Sequence, residues 1–134
     1  MNAQPAAADA RAASEAAGDL ANGFARHIVE WAEHARAPTD SLAVLAAAAR
    51  HASLATQNGH VCARLEELAT DFPDCPAGEL SRRLFSSGMV ATAVEPRVLP
   101  LVLDFDGRLY LYRYFAYERR LAASLSRRAQ YVPP

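Results

Sequence analysis

The sequence predicts an α+β domain, mainly α-helical, with a small antiparallel β-hairpin or sheet near its C-terminal end. Three observations predict it. Apolar residues recur at spacings of three and four as far as Gly88. Two alternating apolar runs then flank a turn ending in Asp106-Gly107. After Tyr114 the apolar period lengthens again to about 3.6 residues. A chain of 134 residues, 51% hydrophobic, has material for one core and too little for two.

Met1 to Ala17 is rich in alanine, with Asp9, Arg11 and Glu15 interspersed. It lacks the basic start and apolar centre of a signal peptide and reads as a disordered leader over residues 1–17, leaving a single domain over 18–130. From Asp19 to Ala35 the residues Leu20, Phe24, Ile28, Trp31 and Ala35 form one stripe of an amphipathic helix. Pro38-Thr39-Asp40-Ser41 supplies a break and a polar cap. A second helix follows, its small-residue face given by Leu42, Leu45, Ala49 and Ala52, and Asn58-Gly59 ends it. His60-Val61-Cys62 has an extended pattern leading into a short helix over Arg64 to Ala69. Pro73 and Pro76 bracket an acidic turn. Glu79 to Ser87 then places Leu80, Leu84 and Phe85 on one helical face before Gly88 stops it.

The hairpin runs from Pro100 to Tyr112, and its alternation directs Leu101, Leu103, Leu109 and Leu111 inward. Tyr110 and Tyr112 fall on the opposite face. In the last helix Tyr117, Leu121, Ala122 and Leu125 share one side, while Arg119, Arg120, Arg127 and Arg128 lie largely on the other. Val132-Pro-Pro cannot continue a helix, so residues 131–134 read as the start of a linker.

The net charge of −1 argues against non-specific coating of nucleic acid or membrane, which needs a large positive field. The charge is polarised, however: residues 1–107 carry −6 and residues 108–134 carry +5. All 14 basic residues are arginine and 30 residues are alanine, a bias that carries little functional information. Two cysteines, Cys62 and Cys75, are too few for a disulfide framework, and a cytoplasmic location is expected. The longest apolar run, Leu42 to Ala49, is far short of the ~20 residues that cross a bilayer.

Three stretches together resemble the N-terminal domain of RecD, the alpha subunit of exodeoxyribonuclease V, the RecBCD helicase-nuclease. They are Gly59-His-Val-Cys62 followed by Leu65-Glu-Glu-Leu68, then Pro100-Leu-Val-Leu103, then Arg108-Leu-Tyr-Leu-Tyr-Arg-Tyr-Phe-Ala-Tyr-Glu118 leading into Leu121. The last is the most specific: in that family the second strand runs into a helix start of the form R-Y-W-x-Y-E, and here Phe115 stands in the place of the tryptophan. The resemblance covers roughly residues 40 to 130. It implies a non-catalytic assembly domain in a DNA repair and recombination complex, preceding a 5′-to-3′ helicase motor. A RecC-type subunit is the implied chief partner and a RecB-type subunit the second. ATP and Mg²⁺ are expected only in the motor domains. With no lysine in the chain, a phosphate-binding loop of the G-x-x-x-x-G-K-[ST] kind is excluded, and no catalytic residue, cofactor or metal is expected here.

Four of the five tyrosines lie between residues 110 and 117, together with Phe115 and beside Arg113, Arg119 and Arg120. One reading gives them a structural role covering the helices. A second makes Tyr110, Tyr112, Arg113, Tyr114, Phe115, Tyr117 and Arg120 a partner-binding set, since Tyr and Arg combine large contact area with a polar end. A third stacks the aromatics on single-stranded DNA. An interaction module is further expected to expose an apolar patch near the hairpin and to self-associate when its partner is missing. His60 and Cys62 would share a face, yet zinc needs four ligands and the spacing supplies no C-x-x-C or H-x-x-x-H partner. A Cys-His hydrolase would additionally need an orienting carboxylate or amide in space, and the sequence leaves open the approach of Cys75 or His51 to the site. Glu66, Glu67, Asp71 and Asp74 read as a solvated face. The competing function is a winged-helix-like DNA-binding regulatory module, with the hairpin as wing and Arg82 and Arg83 on the recognition helix.

Overall fold

The computed structural model describes residues 4–95 and 97–130, with residues 4–6 considered as backbone only. Five helices and four strands follow the chain: α1 (Gln4–His34), α2 (Thr39–Gln57), β1 (Ala63–Arg64), α3 (Leu65–Ala69), α4 (Ala77–Ser86), β2 (Val90–Thr92), β3 (Leu101–Leu103), β4 (Arg108–Leu111) and α5 (Tyr112–Gln130). The α+β class is as expected from the sequence.

Helix α1 begins at Gln4, so residues 4–17, expected as a disordered leader, form its first half. Alanine, the strongest helix former, dominates this stretch and lets the helix extend beyond its packed part. The linker expected at 131–134 lies outside the described residues, as do residues 1–3 of the leader. Helices α1 and α2 end in left-handed caps. Arg36 (φ 61°) closes α1 as Ala37 N–H donates to Ala32 O and Arg36 N–H to Glu33 O. Gly59 (φ 87°) closes α2 through His60 N–H to Ala55 O and Gly59 N–H to Thr56 O. Both are the paired-bond arrangement that satisfies last-turn carbonyls. The polar start expected for α2 differs in detail: Pro38 caps without a side-chain bond. The buried Ser41 hydroxyl instead donates back to the Pro38 carbonyl at 2.6 Å.

Helices α1 and α2 make the most extensive contact between elements. The α1 face that meets α2 is Ala21, Ala25, Ile28 and Ala32, each buried, rather than the larger stripe read from the sequence. Small side chains let two backbones come close and dispersion act along the whole seam. Opposite stand Val44, Leu45, Ala48, Ala49 and Ala52, all essentially inaccessible. Leu68 of α3 and Leu80 and Leu84 of α4 close the same core. Phe85, expected beside them, is exposed.

The four strands form one sheet in the order β1-β4-β3-β2. β3 and β4 make the expected antiparallel hairpin, with Leu101 opposite Leu111 and Leu103 opposite Leu109. The turn uses Gly107 (φ 77°), with Gly107 N–H donating to Asp104 O at 3.2 Å and Asp104 N–H to Arg108 O at 3.0 Å. Asp104 Oδ1 also accepts from the backbone N–H of Asp106 and Arg108. This is a tight turn ending on a left-handed residue, a geometry that favours glycine. The sheet is mixed rather than purely antiparallel, because β2 pairs parallel to β3. The extended pattern at 60–62 leads to strand pairing only at Ala63–Arg64, against β4.

The sheet's inner face carries Leu101, Leu103 and Leu109 into the helical core, as expected from alternation. Its outer face is also covered: Ala91, Val102, Tyr110 and Phe115 form a second cluster, joined by Cys62, Ala93, Leu99 and Tyr112. The β2–β3 connection therefore lies over this outer face beside the start of α5. No helix of the described residues is long and apolar enough to cross a membrane.

Candidate interaction groove

Two apolar stripes run along α1, about 90° apart at 100° per residue. The alanine stripe packs on α2. The larger one, Leu20, Phe24 and Trp31, is turned a quarter of the way round the helix from it, with Ile28 shared at the border. Trp31, the chain's single tryptophan, is 49% exposed and Leu20 is 61% exposed. Beside this stripe lies a groove of about 500 Å³. Its α1 wall is Phe24, His27, Ile28 and Trp31; its other wall is Val98, Leu99 and Pro100 of the β2–β3 connection with Leu111, Tyr112 and Arg113. A smaller depression of about 320 Å³ continues it past Phe24, Leu111 and Arg113 to Leu20, Thr56, Gln57 and Tyr114.

The sequence places these walls for local reasons. Strand β4 passes straight into α5 at Tyr112, with Tyr112 N–H donating to Pro100 O at 3.0 Å. This bond ties the end of the connection to the first residue of the helix. The His27 and Trp31 rings, one helical turn apart, lie 4.4 Å between centroids at 57°. The Arg113 guanidinium sits 5.4 Å from the Tyr114 ring centroid, the distance of a cation–π contact. The lining is mainly apolar, with His27, Tyr112 and Arg113 as its charged or titratable side chains. Such a surface binds by burying apolar area, with one cation to orient what it binds.

The sequence-predicted binding residues are divided by the structure. Tyr112 and Arg113 line the groove, and Arg113 and Tyr114 line its continuation. Tyr110 and Phe115 are buried (8% and 7% exposed) and meet edge to face at 5.5 Å. They pack inside the domain in the outer-face cluster, Tyr110 from β4 and Phe115 from the first turn of α5, and leave little surface for a partner. Tyr117 and Arg120 are exposed on α5, away from the groove. Phe24, His27, Trp31 and the 98–100 segment were not anticipated. The available signal was that α1 carries more apolar surface than one interface consumes.

The other candidate constellations are less favourable. His51, His60 and Cys62 do border one polar cavity of about 570 Å³, and His51 Nε2 lies 2.8 Å from Asp71 Oδ2. Among the described residues, however, no hydrogen bond joins Cys62 to either histidine, and Cys75 is not in the cavity lining. Burial pushes the Cys62 thiol above its ordinary pKa, against the opposing pull of Arg108. A thiol held protonated is a poor nucleophile. Among the described residues no three metal-ligating side chains converge.

Arg82 and Arg83, the arginines a winged helix would turn to DNA, are engaged within the protein. Arg82 Nη2 donates to Glu79 Oε1 at 2.6 Å and to Asp40 Oδ2 at 3.1 Å, and Arg83 Nε donates to Glu79 Oε1 at 3.1 Å. Their hydrogen bonds hold the Glu79 carboxyl down to about 2. No protein-family model, curated protein or solved structure matches the chain.

Proposed function

We propose that this domain is a non-catalytic assembly module of the RecD type, docking the 5′-to-3′ helicase motor of an exodeoxyribonuclease V-like repair and recombination complex onto its partner subunits. The observation that carries the reading is the apolar groove with a half-exposed tryptophan on one wall. Exposed apolar surface is a mark of interaction sites, and tryptophan is among the residue types that anchor protein interfaces. The RecD-like motif Arg108–Glu118 supports the same reading, since Tyr112 and Arg113 within it form the facing wall. On this reading a RecC-type subunit fills the groove, with a RecB-type subunit as the second partner. ATP and Mg²⁺ chemistry belongs to motor domains and not to these residues.

The test is co-purification of the chain with the cognate RecC-type subunit. A complex stable in moderate salt is expected. Trp31→Ala and Tyr112→Ala should each weaken it by about 2 kcal/mol, roughly thirtyfold, as hot-spot aromatics do. Full-strength binding by both variants, or no complex at all, would refute the reading.

A further inference from the structure

We propose that the exposed face of α5 is a second interaction surface, built to take an acidic amphipathic helix of a partner protein. It shares Arg113 with the α1 groove and otherwise uses different residues, and it does not rest on the RecD-type reading.

Helix α5 is fastened to the body at its start. Phe115 sits in the outer cluster, the Arg119 guanidinium lies 5.6 Å from the Phe115 ring centroid, and Arg119 Nη1 donates to the Ala93 carbonyl at 3.1 Å. Among the described residues nothing covers the opposite side. Tyr117, Leu121 and Leu125, at steps of four, are all exposed, Leu125 by 53%. At 100° per residue they form a stripe about 80° wide, within which Arg128 falls at the C-terminal end.

Arg113, Arg120 and Arg127 recur every seven residues and make a single line along one edge of that stripe, and all three are exposed. Of the nine arginines outside α5, four (64, 82, 83 and 108) are ion-paired among the described residues. Among the described residues no salt bridge engages any arginine of α5. Three like charges in register, each about 10 Å from the next, gain nothing from one another. They become favourable when a surface of opposite sign is laid along them.

The pattern selects the kind of partner. An apolar seam flanked by a heptad-spaced line of one charge is how helices choose a partner helix, the flank setting its sign. Nucleic acid would satisfy the arginines and stack on Tyr117, but would leave Leu121 and Leu125 in water. A bilayer surface takes helices with a large apolar face that sinks into the acyl boundary, and one tyrosine with two leucines is small for that. A second copy would bring arginine against arginine.

The experiment uses the full chain and four probes followed by fluorescence anisotropy. They are a designed helical peptide of about three heptads with leucine at the seam and glutamate on the flanks, its lysine counterpart, an oligothymidine, and phosphatidylserine-containing vesicles. The glutamate peptide is expected to bind at least about tenfold tighter than the lysine peptide. The pair Arg120→Glu and Arg127→Glu should reverse that preference. Leu121→Asp with Leu125→Asp should abolish binding of both peptides while leaving the melting temperature unchanged, since both leucines are exposed. Trp31→Ala should leave peptide binding intact, which separates this surface from the groove. Equal affinity for the two peptides, no reversal by the charge swap, tighter binding of the oligonucleotide or the vesicles, or self-association through α5 would each overturn the proposal.

Discussion

Helix α1 presents two apolar stripes to two different fates. One is small, with Ala21, Ala25 and Ala32, and lies buried on α2; the other is large, with Leu20, Phe24 and Trp31, and stands half in water. A helix gives its large side chains to the core when the core has room for them. Here α2 offers a surface of Val44, Leu45, Ala48, Ala49 and Ala52, and at three of the four buried α1 positions the seam takes no more than a methyl group. The larger residues are displaced to a face where the β2–β3 connection and the start of α5 meet them across a groove. The difference teaches that side-chain size alone does not report burial. What the neighbour can accept decides it.

Ile28 stands on the border of the two stripes, is 1% exposed and also floors the groove. Ile28→Ala should therefore have the largest effect, a loss of about 2–5 kcal/mol from the transfer and cavity terms together, read by urea denaturation. A loss below about 1 kcal/mol would mean that the α1–α2 seam can collapse around the gap. Ala32→Leu probes the seam from the other direction. Overpacking a site with no free volume should cost about 1–3 kcal/mol, and a neutral result would show that the helices separate easily. Gly107→Val strains the hairpin turn on the sheet between the two regions. A Cβ there meets Leu65 Cβ at an ordinary 3.6 Å, so the cost, above about 1 kcal/mol, comes from the positive φ.

Trp31→Ala should change stability by less than about 0.5 kcal/mol, as for other exposed sites, while removing much of the partner affinity. A large destabilisation would place Trp31 with the buried stripe after all. The smallest effect lies outside both stripes, at Glu79, which links α4 to the first turn of α2 through Arg82. Its folded pKa is depressed to about 2 by hydrogen bonds from Arg82 and Arg83. Its stabilising contribution is therefore fully present above the usual glutamate range and is lost as pH falls toward 2. Glu79→Gln should flatten the acid limb of the stability curve and leave the neutral region nearly unchanged.

Much of this fold was legible in the residues. The hairpin was carried by alternation and by Asp106-Gly107, whose chemistry leaves few other turns. The ends of α2 and α4 were carried by Asn58-Gly59 and Gly88. Three things were not legible, each for a physical reason. Strand β2 pairs in parallel with β3, and a parallel partner leaves no local turn signature. The leader joined α1 because alanine-rich segments satisfy both a helix and a polar tail. The burial phase of α1 was misassigned because Leu, Phe and Trp outweigh Ala in any hydrophobic tally, whereas the packing rewarded small residues. Of the candidate site, Tyr112, Arg113 and Tyr114 were visible as a cluster. Tyr110 and Phe115 were indistinguishable from them until the outer face of the sheet proved to be covered.

The order of the strands has a consequence for a protein that leaves apolar surface uncovered. The sheet is bounded by β1, with two residues, and β2, with three, while the longer β4 lies inside it. Unpaired backbone along a sheet margin is what templates runaway strand addition between molecules. With margins this brief there is little to template, so the chain can keep sticky side chains in water with a low tendency toward fibrillar assembly.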